Sequence, residues 1–147
     1  MSQELVKDWM SQDVITIDGD ACCLPEAHRL MADNKIRRLP VVDKHGRLVG
    51  IVTRGDVRGA EPSQATSLSI WELNYLLANL KIADIMTPNP VTVSENSTIG
   101  EAANLMLEHK VSGLPVVNGA RQLVGIITES DIFRMVVRHE WREKETA

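Results

Sequence analysis

The heptapeptide GIVTRGD runs from Gly50 to Asp56, and GIITESD runs from Gly125 to Asp131. Two near-copies of one phrase in a chain of 147 residues indicate a doubled unit. The similarity extends outward from both. KIRRLPVVDKHGRLVGIVTRGDV (Lys35 to Val57) aligns without a gap to KVSGLPVVNGARQLVGIITESDI (Lys110 to Ile132), each residue 75 places after its counterpart. EAHRLMADN (Glu26 to Asn34) matches EAANLMLEH (Glu101 to His109) at the same spacing. Further back, VKDWMSQDVITI (Val6 to Ile17) matches IADIMTPNPVTV (Ile82 to Val93) at a spacing of 76. The first copy therefore holds one extra residue, in a loop between Asp18 and Leu24.

Each copy carries the same signals in the same order. A β-branched stretch, VITI or VTV, predicts a short strand. A helix follows, with Ala27, Leu30 and Met31, or Ala102, Leu105 and Met106, at helical spacing. Pro25 suits the first helical turn, where its missing N–H would have no partner. LPVV and LVGIV (or LVGII) read as two apolar strands joined by the turn residues of DKHGR or NGARQ. A second helix begins at Thr-x-x-Asp. The expected domains are 1–58 for the first repeat, 59–81 for a linker, 82–140 for the second repeat and 141–147 for a charged tail. Within the linker, Ser69 and Glu72 form a capping-box signature for a helix over 69–80. Trp71 and Tyr75 lie off its main apolar stripe and read as packing against the linker, with a subunit contact as the other reading.

Composition bounds the function. Hydrophobic residues make up 44% and charged residues 24%, an ordinary globular mixture. Aromatics are scarce, so the core must come from Val, Ile, Leu and Met; Met10, Met31, Met86, Met106 and Met135 fall on apolar stripes. The net charge is −4 with no basic block, which argues against nucleic acid as a partner. No apolar run approaches the roughly 20 residues of a membrane span, and the opening residues lack the apolar stretch of a signal peptide. Cys22 and Cys23 are adjacent and have no other cysteine to pair with, so a reducing, cytoplasmic setting is expected. The two cysteines read as small loop fillers rather than a redox pair. The four histidines show no metal-ligand spacing, and no nucleophile with an acid–base partner is evident. An enzyme is not expected, nor a cofactor or a metal.

The Thr-x-x-Asp pairs Thr53/Asp56 and Thr128/Asp131 admit two readings. One is a capping box in which the carboxylate reaches back over the helix start. The other is a site at the end of a buried strand, where a carboxylate accepts hydrogen bonds from a vicinal diol such as that of ribose. One residue can serve both purposes.

The paired LPVV(D/N)…LVGI(V/I)TxxD units, each preceded by Asp8 with Met10 or Asp84 with Met86, resemble a tandem of CBS domains, or Bateman module. The resemblance implies an α+β fold of two β-α-β-β-α repeats about a pseudo-twofold axis, with small mixed sheets and two clefts between the repeats. It implies an adenosine derivative as ligand (AMP, ADP, ATP or S-adenosylmethionine), with Asp56 and Asp131 on the ribose beside Thr53 and Thr128. Residues before each LPV strand would line base and phosphate: Ile36, Arg37 and Arg38 in copy one, Val111, Ser112 and Gly113 in copy two. Ile15, Thr16, Val91 and Thr92 would form the opposite wall for the base. The phosphate is expected to prefer Arg37 and Arg38 over Ser112. The implied partners are this ligand, a regulated protein and a second copy of the chain. A regulatory module is the first expectation and a ligand-free dimerisation scaffold the alternative. The copies differ after the motif: Gly59 and Pro62 cut the first terminal helix short or let the 69–80 helix replace it, whereas the second runs on as an amphipathic helix. Asp131 is thus expected to have the better-defined surroundings.

Overall fold

A computed structural model describes residues 4–20, 24–60 and 69–146. Cys22 and Cys23, Pro62 and the rest of 61–68 within the 59–81 linker lie outside the described residues. The chain begins with α1 (Val6–Trp9), β1 (Ile17–Asp18), α2 (Leu24–Asn34), β2 (Arg38–Val42), β3 (Leu48–Thr53) and α3 (Arg54–Ala60). The linker helix α4 (Ile70–Asn79) follows, then α5 (Ile82–Ile85) and β4 (Thr87–Pro88). The second copy continues with β5 (Val93–Ser94), α6 (Ile99–His109), β6 (Gly113–Val117), β7 (Leu123–Thr128) and α7 (Glu129–Thr146). The class is α+β, with two small mixed sheets ordered β1-β2-β3-β4 and β5-β6-β7.

The repeats fold alike because their local chemistry is alike. β2 and β3 form an antiparallel hairpin, and so do β6 and β7, with matching register shifts after Val41 and Val116. The Asp43 carboxylate accepts from the backbone N–H groups of His45 and Arg47, and the Asn118 side chain accepts from those of Ala120 and Gln122. Such side-chain-to-backbone bonds fix a tight loop. Both α2 and α6 end in a left-handed lysine, Lys35 (φ 55°) and Lys110 (φ 54°). The next N–H, of Ile36 or Val111, closes back onto the carbonyl of Met31 or Met106 at 2.9 or 3.0 Å. The VITI and VTV stretches are shorter as strands than their composition suggests. Only Ile17–Asp18 and Val93–Ser94 pair, in parallel with the second half of β2 and β6.

The two compact units are not the two repeats. One contains Ile15–Pro90, and the other contains Met1–Val14 together with Val91–Ala147. Each repeat's opening segment thus belongs to the unit of the other. Ile82 from copy two is buried in the first core beside Leu39, Val41 and Val52, and Val6 from copy one is buried in the second beside Leu114, Val116 and Ile127. In the first unit β4 pairs with β3, Thr87 opposite Ile51. In the second, Ser11 and Ile126 exchange backbone hydrogen bonds of 2.9 and 3.0 Å. The Trp9 indole N–H donates to Glu4 at 2.8 Å, and His139 of α7 lies 2.7 Å from the other Glu4 oxygen. The Trp9 bond first, and His139 with it, hold the Glu4 carboxyl below the usual range.

Glycine permits this docking. A Cβ on Gly125 would lie 2.6 Å from the Met10 sulfur and 2.8 Å from the Ser11 carbonyl oxygen. One on Gly50 would meet the Met86 thioether and come within 2.9 Å of the Thr87 carbonyl oxygen. A side chain there has backbone, not only a flexible thioether, to displace. Gly50→Ala and Gly125→Ala should each cost about 1–3 kcal/mol in urea unfolding, the range for overpacking. Gly59→Ala in α3, where a Cβ meets nothing within 4 Å, should instead gain up to about 1 kcal/mol. Equal stability of Gly50→Ala and wild type would show that the exchanged segment yields freely.

Candidate functional site

Each Thr-x-x-Asp lies where a core strand turns directly into a helix. The Thr53 N–H donates to Asp56 Oδ2 at 2.8 Å, and the Asp56 N–H donates to Thr53 Oγ1 at 3.1 Å. In copy two the Thr128 N–H and hydroxyl donate to Asp131 Oδ2 at 2.9 and 3.1 Å, and the Asp131 N–H reaches Thr128 Oγ1 at 3.4 Å. Both motifs are therefore reciprocal helix caps. Both caps use Oδ2 alone.

The remaining oxygens differ. Asp56 is half-buried, and its Oδ1 has no partner among the described residues. Asp131 is only 2% exposed, and its Oδ1 accepts from Arg134 Nη1 at 2.7 Å. The counterpart of Arg134 in copy one is Gly59, which has no side chain to offer. Gly59 leaves the Asp56 oxygen open, whereas Arg134 at the same helical position covers that of Asp131. Asp131 is the more fully bonded of the two aspartates, and Asp56 is the more open.

Strand register determines what surrounds each pair. Arg38 is directly opposite Thr53, and Gly113 is directly opposite Thr128. Directly opposed residues of an antiparallel pair project from the same face. The Arg54 N–H closes onto the Arg37 carbonyl at 2.8 Å, and the Glu129 N–H onto that of Ser112 at 3.0 Å. β1 runs parallel to β2, so Ile15 and Thr16, just before it, lie toward the end of β2 that carries Ile36 and Arg38. Val91 and Thr92 stand in the same relation to Val111 and Gly113. Ile15 is exposed, whereas Thr16, Ile36, Val91, Thr92 and Val111 are partly buried.

The two arginines part company. Arg37 lines a cleft of about 470 Å³ that contains neither Thr53 nor Asp56. Lys35, Arg54 and Arg58 share that cleft, and these three did not stand out in the sequence. The signal available was a contrast between copies: Arg54 and Arg58 stand where copy two has Glu129 and Phe133.

The CBS domain family model matches residues 6–63 and 82–138. A CBS domain-containing protein of Dictyostelium discoideum is 38% identical over 134 residues, which are 91% of this chain and 92% of that protein. The chain also matches longer proteins, including two enzymes of which it spans 23%. A crystal structure of CBSX2 in complex with AMP superposes with a TM-score of 0.77 at 29% identity, covering 93% of this chain and 98% of the other. The CBS domain pair of the protein MJ0100, in complex with 5'-methylthioadenosine and S-adenosyl-L-methionine, gives a TM-score of 0.71 at 35% identity and covers 92% and 97%. With both repeats matched by the family model and a relative aligned over nearly its full length, the chain belongs to the CBS-domain family.

Proposed function

We propose that the chain is a regulatory module that binds an adenosine derivative beside its Thr-x-x-Asp pairs and passes occupancy to a partner protein. The observation that carries this reading is the divided use of the aspartate. One oxygen and the threonine are fixed in the helix cap, so the other oxygen of Asp56 is held in one place and unpartnered. A ribose diol supplies the two donors such an acceptor would take, and a rigid acceptor loses little entropy on binding. The known complexes of similar CBS pairs support the choice of adenosine. In this reading Thr53 and Asp56 hold the ribose, Ile15, Thr16 and Ile36 border the base, and Arg38 is positioned for a phosphate. Thr128, Asp131, Val91, Thr92, Val111 and Ser112 form the second site.

Signalling requires a ligand with different affinity for two conformations, and no acid–base chemistry is assigned to the site. The partners proposed are a regulated protein and a second copy of the chain in the cytoplasm. Among the described residues, no helix is long and apolar enough to cross a membrane. The scaffold reading draws on one observation: Arg134 occupies the second Asp131 oxygen with the chain's own side chain.

Titration calorimetry with adenosine tests the assignment. Asp56→Asn can keep its oxygen in the cap and present an amide donor in place of Oδ1. It should melt within about 1 kcal/mol of wild type yet bind adenosine about 10- to 100-fold more weakly, as expected on losing a charge-assisted acceptor. Unchanged affinity would remove Asp56 from the ribose. Arg134→Ala should free the Asp131 oxygen and strengthen the second site several-fold, because the arginine side chain is largely exposed and its pair contributes at most about 1 kcal/mol. A loss of the second binding event in Arg134→Ala would instead make Arg134 part of that site.

A further inference from the structure

The cleft between α2 and α3 has features that the nucleoside reading does not use. Its polar wall carries Lys35, Arg37, Arg54 and Arg58, with the imidazole of His28, and no acidic residue lines it. Among the described residues, none of these four cations has an ion-pair partner. Its apolar wall includes the buried side chains of Met31 and Val57, which exclude water from one side and strengthen the field of the charges opposite. Four like charges gathered in one cleft repel one another until an anion joins them.

Local geometry accounts for the convergence. The left-handed Lys35 ends α2 abruptly and turns the chain, so Lys35 and Arg37 face the start of α3. On α3, at about 100° per residue, Arg54 and Arg58 fall within about 40° of each other. Asp56 falls roughly 160° away from both, on the face that closes its own cap. The second copy does not repeat the arrangement. The counterparts of His28, Arg37, Arg54 and Arg58 are Ala103, Ser112, Glu129 and Phe133.

We infer that this cleft is a second binding site, present in the first repeat alone, that takes a chain of two or three phosphates. Four fixed positive charges match an oligophosphate better than a single carboxylate, and three of them are guanidinium forks that can grip phosphate oxygens bidentately. The cleft volume lies within the range of small-molecule sites. The ligand is either a free oligophosphate or the phosphate tail of a nucleotide. The inference stands apart from the ribose assignment, because the cleft lacks Thr53 and Asp56.

The test is calorimetric titration of the full chain with sodium tripolyphosphate, ATP and adenosine at one fixed ionic strength. Wild type should bind tripolyphosphate saturably at one site per chain. The double variant Arg54→Ala, Arg58→Ala should bind it about tenfold or more weakly while its adenosine affinity stays within about twofold, as expected on losing two charge-assisted grips on the face of α3 turned away from Asp56. Lys44→Ala, in the exposed β2–β3 turn, should change nothing. ATP binding no tighter than tripolyphosphate identifies the free anion as the ligand, and tighter ATP binding that the double variant loses identifies a nucleotide tail. Absence of tripolyphosphate binding, or equal weakening by Lys44→Ala, overturns the site. Loss of adenosine binding with tripolyphosphate binding intact in wild type would instead overturn the nucleoside reading and leave this one standing.

Discussion

The close approach of backbone to backbone at Gly50 and Gly125 is the constraint on which the rest depends. Each hairpin accepts a segment from the other copy against a strand that has no room for a Cβ. The two cores are then completed by Ile82 and Val6, each a fully enclosed side chain contributed across the sequence boundary. Neither repeat closes its core with its own residues alone. Burying an aliphatic side chain contributes about 1.5–3 kcal/mol, a large share of the margin for a unit of this size. The doubled motif is therefore a structural requirement before it is a functional one. The Gly of G-I-(V/I)-T and the Met of each opening segment are the two halves of a single contact.

That contact also fixes where the polar groups fall. β3 and β7 begin their run against the exchanged segment and end at Thr53 and Thr128, with the helix starting at the next residue. No loop intervenes to let the threonine or aspartate drift. The cap uses one carboxylate oxygen together with the threonine N–H and hydroxyl oxygen, so stability and presentation come from the same bonds. In copy one the outcome is an acceptor aimed away from its cap. In copy two the helical position held by Gly59 in copy one carries Arg134, which uses the acceptor internally.

The sequence made the architecture legible because the same signals occurred twice in register. The hairpins, the helices α2, α4 and α6, and the long α7 could be read from turn residues and apolar spacing. The exchange of opening segments could not be. Periodicity reports which side of an element is buried, but not which copy's core receives it. The strand over VITI was overread for a related reason: β-branched residues suit extended backbone, yet only Ile17 and Asp18 find a neighbour to pair with. At the site, Thr53, Asp56, Thr128 and Asp131 were found by motif, and strand register then separated Arg38 from Arg37. Lys35, Arg54 and Arg58 went unnoticed because they are scattered in sequence and converge only when a left-handed residue folds α2 back toward α3.

Two repeats that share a fold this closely differ where substitutions cost the fold least. The positions that fill the cores or seat the exchanged segments agree between copies almost residue for residue. Three that differ in charge, Arg37 against Ser112, Arg54 against Glu129 and Arg58 against Phe133, are exposed. Exposed positions away from caps and glycine contacts usually change stability by no more than about 0.5 kcal/mol, so they can diverge while the packing stays fixed. Gly59 and Arg134 follow the same logic: an exposed helical position decides whether a nearby aspartate is open or closed without touching the core. Much of the charge asymmetry thus sits at exposed positions of a symmetric frame. The frame itself records no preference between the two copies.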